Sequence, residues 1–357
     1  MKHLYNCILF RIIPVIAAMM AFAGCNSVIY DDEGDCDPIH VIRFNYDWNM
    51  KFTNAFPAEV LNVELHVFDS NGTLVRVVSE HVSRENAADY NIELRGLAPG
   101  NYSFLAWCGT KDSEHFTINH QGVASPMMEH HTCRINSLDE EDDVNGHIRQ
   151  DIGRLFHGRL DNVDMTADEG RHEHVIRLKK NTNVVRVVLQ HMNGEPMDKD
   201  DYIFRITDSN GLYDHNNDLL PHRELTYHPW VIKSGQAAFH PEDQPEGGRA
   251  AAVSGVSAVV AELTVGRLMS DHEKTATLTV HSRDGHLILS IPLIEYMLLV
   301  KGHYYGEDGH TPMSDQEYLD RQDEYPMTFF LDQSHEWIKT VIYINDWRIV
   351  RDTPTIH

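Results

Sequence analysis

One cysteine near the N-terminus has the surroundings of a lipid-attachment site. Cys25 ends the run Met20-Ala21-Phe22-Ala23-Gly24-Cys25, which follows a positive region with Lys2 and Arg11 and an apolar stretch over residues 12–23. That stretch has the length of a signal-peptide core and is short for a membrane span. Small residues directly before a cysteine are typical of a lipoprotein signal, in which the chain is cut before the thiol that then receives acyl chains.

The sequence therefore predicts a signal peptide over residues 1–24 and lipid on Cys25. Two or more acyl chains on that residue would anchor the protein stably at a membrane surface. Residues 25–38 are polar and acidic, which indicates a tether between the lipid and the fold. The alternative is an ordinary signal peptide with an incidental cysteine.

Two groups of histidines have residue types that could ligate a metal. His130 and His131 have Cys133 nearby, and His172 and His174 flank a glutamate. Neighbouring residues on a strand point to opposite faces, so the first pair is poorly arranged for one metal. The second pair could share a face, but it lies in a polar run. Solvated loop histidines are the favoured interpretation, and no metal or other cofactor is predicted.

The segment Asp208–Asp218 superficially resembles a calcium-binding loop. Leu212 stands where a third oxygen ligand is needed and Gly211 is displaced, so a polar hairpin turn is favoured over a weak calcium site. The sequence also lacks a Gly-x-Ser-x-Gly elbow, a glycine-rich phosphate loop and a His-Glu-x-x-His motif. These observations predict that the protein is not an enzyme.

The chain of 357 residues is strongly acidic. Its formal net charge is −24, and loss of Lys2 and Arg11 with the signal peptide makes it −26. Such a charge disfavours nucleic acid as a partner. A hydrophobic content of 42% is typical of a folded protein, and the length suggests two domains.

Short segments with period-two alternation predict a mainly β fold of two tandem β-sandwich domains with a few short helices. Residues 60–68 and 73–78 read as a hairpin around Asp69-Ser70-Asn71-Gly72, with the polar side chains of the first strand facing solvent. Asp-Ser-Asn-Gly recurs at 208–211 after a second strand, which suggests two units of similar topology. The predicted domains span residues 39–174 and 175–357.

Further predictions concern a helix, the thiols and the C-terminal segment. Ser314 is a plausible N-cap for a helix that continues to Glu324. Cys36, Cys108 and Cys133 cannot all pair, so either Cys108–Cys133 forms a bridge or these thiols are free, and free thiols are favoured.

The segment 339–350 is strongly β-prone and could pair with its own sheet or with another subunit. The candidate contact residues alternate along it: Val341, Tyr343, Asn345, Trp347 and Ile349.

Taken in order, several short motifs resemble the anchor subunits of Bacteroidales fimbriae. The matching pieces are Cys25 with the acidic leader through Cys36, Phe44-Asn45-Tyr46-Asp47-Trp48-Asn49-Met50, Val67-Phe68-Asp69 with Gly72, Leu97-Ala98-Pro99-Gly100-Asn101-Tyr102 with Ala106-Trp107, Leu178-Lys179-Lys180-Asn181-Thr182-Asn183, Tyr227-His228-Pro229 and Ile344-Asn345-Asp346-Trp347.

The resemblance implies transthyretin-like sandwiches, a lipid anchor at Cys25 in the outer membrane, and assembly with fimbrillin subunits by strand complementation. It implies an anchor that sits at the base of a fimbrium and limits its growth, and it supplies no catalytic residue. The alternative is a surface lipoprotein that binds glycans or proteins and never joins a fimbrium. Five tryptophans and an acidic surface are compatible with that second interpretation.

Overall fold

A computed structural model describes residues 38–120, 127–137, 146–165, 168–191, 195–237, 256–271 and 276–350. Among these residues the fold is mainly β, with 53% in strands and 11% in helices, as the sequence predicts. The strands are β1 (Ile39–Asn45), β2 (Asn62–Phe68), β3 (Leu74–His81), β4 (Asn91–Leu94), β5 (Gly100–Cys108), β6 (Phe116–His120), β7 (His131–Ile135), β8 (Gly146–Ile148), β9 (Phe156–Met165), β10 (Arg171–Lys180), β11 (Thr182–His191), β12 (Tyr202–Asp208), β13 (Leu212–Tyr213), β14 (Leu225–Tyr227), β15 (Val231–Ala237), β16 (Val256–Gly266), β17 (Thr277–Ser282), β18 (Leu287–Pro292), β19 (Glu324–Leu331), β20 (Trp337–Ile344) and β21 (Trp347–Val350). The α-helices are α1 (Phe56–Glu59), α2 (Leu293–Leu298) and α3 (Asp315–Arg321).

The first sheet has the strand order β3-β2-β5-β9-β10-β1-β4. Strand β1 pairs in parallel with β10 and antiparallel with β4, so the first described strand fills an interior position. Ile42 and Phe44 on β1 face a core that also contains Ile176 and Leu178 from β10. Burial of this alternating apolar face accounts for the strand pattern of the sequence in this segment.

Strand β2 is buried on both faces, and the predicted solvent face is therefore wrong. Val63, Leu65 and Val67 face the first core, as alternation requires. His66, on the other face, is 0% exposed, and Phe68 belongs to the second core. The cause is a small sheet in the order β13-β7-β6, whose strand β7 packs over this face of β2 through His131.

The second core lies between two further sheets. One has the order β15-β16-β11-β19-β20-β21 and the other has the order β18-β17-β12-β14-β8. Alternate residues of the central strands point into this core, among them Val185, Val187, Leu189, Val259, Ala261 and Leu263. Helices α2 and α3 add Leu293, Met297 and Tyr318 to the same core.

Two features show how the predicted domain boundary relates to the residues that form each core. Strand β10 runs unbroken through the predicted boundary between residues 174 and 175, and β11 begins at Thr182 on the second core. The segment Phe116–Leu155 also contributes to the second core, through Cys133 and Ile148. The second core is thus assembled from residues on both sides of the predicted boundary.

Several local predictions are confirmed. Strands β2 and β3 form the predicted hairpin, and the Asp69 side chain accepts hydrogen bonds from the backbone amides of Asn71 and Thr73. Ser314 caps α3 by accepting from the amide of Glu317 at 3.1 Å, but the helix ends at Arg321 and does not reach Glu324, which begins β19.

The second Asp-Ser-Asn-Gly does not repeat the first hairpin turn. Asn210 is 0% exposed, accepts a hydrogen bond from the Tyr227 hydroxyl at 2.6 Å, and donates to the carbonyl oxygen of Arg267. Strand β13, which follows, pairs with β7 and not with β12. The tetrapeptide therefore has a buried structural role and forms no hairpin turn, and the polar turn of the segment Asp208–Asp218 lies further along, at Asp214–Asp218.

Candidate functional site

The predicted C-terminal strand is a two-stranded hairpin. Strands β20 and β21 are antiparallel, and the turn between them consists of Asn345 and Asp346. Both turn residues have positive φ, 47° and 66°, which is the backbone of a type I′ turn. Asparagine and aspartate tolerate this conformation better than most residues, so the turn follows from the local sequence.

Because the chain reverses, the five predicted contact residues do not share one face. Val341 and Tyr343 lie on the outer face of the sheet and are half-buried. Trp347 and Ile349 pair with the buried residues Ile344 and Ile342 and so lie on the core side. The fifth residue, Asn345, lies in the turn, where its side chain donates to the Tyr318 hydroxyl at 2.9 Å.

Strand β21 forms one edge of the six-stranded sheet. Within the described residues it pairs with β20 alone. The type I′ turn makes Ile344 and Trp347 the hydrogen-bonded pair next to the turn. Alternation then directs the backbone N–H and C=O groups of Arg348 and Val350 away from β20. These groups are available to an added strand.

The outer face beside this edge carries a shallow groove of about 710 Å³. Val350, at the edge, is 57% exposed. Sequence reasoning missed the contributions from other strands, because they come from separate stretches of the chain that only the sheet brings together. The groove is lined by Gln190, Val256, Thr328, Phe330, Ile338, Val341, Tyr343, Asp346 and Arg348.

Trp347 is the most exposed of the described tryptophans. Its side chain is 42% exposed, and its ring stacks on the His303 imidazole with a centroid separation of 3.7 Å and an angle of 2°. An aromatic ring that is held flat and half-exposed can contact either an apolar protein surface or the face of a sugar.

A polar cleft of about 430 Å³ separates the two cores. Lys180, at the end of β10, lies 3.4 Å from a Glu59 carboxylate oxygen and 3.5 Å from an Asp323 oxygen. The Tyr46 hydroxyl donates to Asp323 at 2.9 Å. Burial is the main cause that raises the pKa of Tyr46, and the Asp323 carboxylate raises it further. The residues around the cleft therefore connect the two cores through paired charges and hydrogen bonds.

The predicted histidine and calcium candidates are engaged within the fold. His131 is fully buried, with its Nε2 3.2 Å from the Nδ1 of His66, and Cys133 is a buried free thiol. The Asp214 carboxylate accepts from the backbone amides of Asn216 and Asp218 and so forms a turn. No group of three metal-ligating side chains within the described ranges is arranged to hold a metal ion.

Histidines 172 and 174 do share a face, and they meet His40 of β1 there. Cys25 and the tether up to residue 37 lie outside the described residues. No helix in the described part of the chain combines the length and apolar character needed to cross a membrane.

Comparisons with known proteins agree on one family. The family profile described as fimbrillin-A associated anchor proteins Mfa1 and Mfa2 matches residues 33–353. The minor fimbrium anchoring subunit Mfa2 of Porphyromonas gingivalis is 24% identical over 298 residues, which cover 81% of each protein.

Two solved structures from Bacteroides thetaiotaomicron are similar over nearly their whole length. A candidate adhesin has a TM-score of 0.75 and 33% identity, covering 88% of this chain and 99% of that one. A candidate polysaccharide-binding protein has a TM-score of 0.69 and 25% identity, with the same coverage. The family match over most of the chain, on a mainly β fold, establishes that this protein belongs to the Mfa2 family of fimbrial anchor proteins.

Proposed function

We propose that this protein is a lipid-anchored, non-enzymatic fimbrial subunit that attaches a fimbrium to the outer membrane and limits its growth. Membership of a fimbrial anchor family supports a location at the cell surface or in the envelope. Lipid on Cys25 would fix the N-terminus at the membrane. The fourteen residues 25–38 would then let β1 stand at most about 50 Å from the lipid.

We assign the contact with the next subunit to strand addition at β21. The carrying observation is that β21 is an edge strand with an exposed, partly apolar outer face beside it. In the first sheet, β1 already fills the interior position between β10 and β4, so a strand could be added there only at the edge strands β3 and β4. A strand from a fimbrillin would gain backbone hydrogen bonds at Arg348 and Val350 and side-chain contacts in the groove.

The test replaces one residue in two ways. Arg348→Pro removes an outward N–H while leaving the bonds between β20 and β21, whereas Arg348→Ala removes only the side chain. After mild crosslinking on cells, fimbrillins recovered with the protein should fall sharply for the proline variant and little for the alanine variant. Equal recovery with both would overturn the assignment to β21 while leaving the anchor role in place. Deletion from Lys339 onward is a poor test, since it removes the buried residues Ile342 and Ile344.

Lipid attachment is tested at Cys25 itself. Cys25→Ser should release the protein and its fimbriae into the medium and abolish labelling by a radioactive fatty acid. Retention of Cys25→Ser in the membrane fraction, with unchanged fimbriae, would rule out this anchor. A full-length variant with Cys36→Ser is the matched control, because it also loses one N-terminal thiol.

A second candidate function is binding of surface glycans, favoured by the exposed ring of Trp347. The similarity to a candidate polysaccharide-binding protein gives this alternative some support. It predicts that the purified protein binds glycans on an array and that Trp347→Ala abolishes binding, whereas Trp230→Phe does not. Absence of glycan binding by the wild-type protein would eliminate it.

A further inference from the structure

Two arginines and a histidine line a shallow hollow beside the small sheet. Arg134 lies on β7, and His222 and Arg223 come just before β14. Together with Pro221 they line a hollow of about 780 Å³, to which the described residues contribute no carboxylate. The chain has a formal net charge of −24, so a hollow lined by basic side chains has the opposite sign to the molecule as a whole.

Neither arginine of this hollow forms an ion pair with a described residue. Arg223 donates to the hydroxyl of Ser137, which is a neutral acceptor. The Nε of Arg134 is buried and has no hydrogen-bond partner. The adjacent Glu224 does not line the hollow, and it acts on Asp208, where burial and then the charge of Glu224 raise the pKa of the carboxyl group. The guanidinium groups therefore keep N–H donors that a bound anion could accept from.

The fold holds the three side chains close together. Burial is the main cause that lowers the pKa of His222, and the charges of Arg223 and Arg134 lower it further, which indicates that both guanidinium groups lie near the imidazole. The ring of His222 packs against Gly211, where a Cβ would lie 2.9 Å from Nδ1. Strand β7, which carries Arg134, is paired on both sides, with β6 and β13. A site that is already ordered loses little conformational entropy when it binds a ligand.

The chemistry of the hollow matches a carboxylate or sulfate group. A guanidinium can donate two parallel hydrogen bonds to such a group, and an imidazole can add another. Protein partners are usually held by large apolar or aromatic side chains, and the exposed ones of the described chain lie elsewhere, for example Val77 on β3 and Trp347 on β21. An acidic sugar carries its charge on a polar frame and needs no such anchor.

We propose that Arg134, His222 and Arg223 form a binding site for the carboxylate or sulfate groups of an acidic polysaccharide. The site shares no residue with β21 or with the exposed ring of Trp347. Its test is therefore independent of strand addition, of lipid attachment and of glycan binding at that tryptophan.

Calorimetric titration of the purified protein with defined oligosaccharides tests the site. The probes are fragments of polygalacturonate, which carry only carboxylates, fragments of carrageenan, which carry only sulfates, and uncharged maltohexaose. We expect the wild-type protein to bind at least one acidic probe, more weakly as salt is added, and not to bind maltohexaose. The acidic probe that binds more tightly identifies the charged group. Absence of binding by both acidic probes overturns the proposal, including the case in which the chain's own acidic run, residues 139–143, fills the hollow.

Matched charge changes separate this site from general attraction. Arg134→Gln with Arg223→Gln should weaken binding about tenfold or more, because it removes the charged donors. The control, Arg177→Gln with Arg205→Gln, removes the same charge from two exposed arginines on β10 and β12 and should bind within about twofold of the wild type. Equal weakening in both double variants overturns the proposal.

Two further measurements complete the test. Arg134→Lys with Arg223→Lys keeps the charge but loses the planar fork, so it should bind more weakly than the wild type. Full affinity in that variant overturns direct recognition by the guanidinium groups, and it decides the question should the glutamine variant not fold. A glutamate-rich peptide that binds the same arginines more tightly than either acidic sugar would assign the site to an acidic protein segment and overturn the polysaccharide.

Discussion

The guanidinium group of Arg321 lies over the ring of Trp48, with its central carbon 3.9 Å from the ring centroid. Arg321 is on α3, which packs on the second core, and Trp48 follows β1 of the first sheet. The same guanidinium donates to the carbonyl oxygens of Asp47 and Asn49 at 3.2 and 3.4 Å. A single arginine therefore joins the two parts of the molecule by a cation–π contact and hydrogen bonds.

Arg321→Ala should destabilise the protein by about 3 kcal/mol, because it leaves Glu317 and two carbonyl groups without a buried partner. Arg321→Lys should recover only part of this, since lysine cannot form the planar fork. Urea unfolding measures the free energy, with Arg186→Ala as the control for an exposed pair that should cost less than about 1 kcal/mol. A loss for Arg321→Ala as small as that of the control would contradict this account of the junction.

Gly109 should be far less tolerant of substitution than Gly96, although both have positive φ, 97° and 67°. A Cβ on Gly109 would lie 1.9 Å from the carbonyl oxygen of Arg154, whereas a Cβ on Gly96 would meet nothing within 4 Å. Gly96→Ala should cost about 1–2 kcal/mol for the backbone alone. Gly109→Ala should cost about 2 kcal/mol more because of the clash, as measured by thermal unfolding. Equal costs would mean that the Arg154 backbone moves aside freely.

Asp208 should make stability depend on pH in an unusual direction. Burial raises the pKa of its carboxyl group to about 7, partly countered by the amide of Ser209. The folded state then binds more protons than the unfolded state between about pH 4 and pH 7, so this group lowers stability as the pH rises through that window.

Asp208→Asn keeps the acceptor for Ser209 and removes the ionisation. It should be more stable than the wild type at pH 8 by on the order of 1 kcal/mol or more, with the difference vanishing near pH 4. Unfolding midpoints across this range measure the effect, and Asp112→Asn, at an exposed carboxylate, is the control. A difference that does not vary with pH would contradict the assignment.

The thiols of Cys108 and Cys133 should resist modification until the protein unfolds. Both are buried and free, and burial raises the pKa of each thiol. In protein expressed from residue 26 with Cys36→Ser, we expect no reaction with a thiol reagent in the native state and reaction of two thiols in urea. A disulfide bridge between Cys108 and Cys133 in freshly purified protein would contradict this prediction.

Local patterns predicted the elements well where neighbouring residues determine them. The hairpin of β2 and β3 and the N-cap of α3 depend on side chains that bond to backbone groups two to four residues away. The Asn345–Asp346 turn could also have been predicted, since that residue pair favours positive φ. The β propensity of the residues on both sides instead led to the prediction of one continuous strand.

Burial that depends on distant segments of the chain could not be predicted from the sequence. The polar face of β2 became an interior surface because His131 arrives 65 residues later to bond with His66. Likewise, the match of His40 with His172 and His174 depends on the parallel register of strands more than 130 residues apart. A sequence shows the residue types but not the register, and each of these clusters is made by the register.

The interior position of β1 also determines how the molecule bears mechanical load. A force applied through residue 38 along the strand pulls β1 lengthwise past β10 and β4. Its backbone hydrogen bonds to both neighbours lie across that direction, so they resist sliding together and are not peeled off one after another. The seven residues of β1 would then act as a shear clamp, and the resistance of the protein to tension would depend on its unfolding rate and not on its equilibrium stability alone.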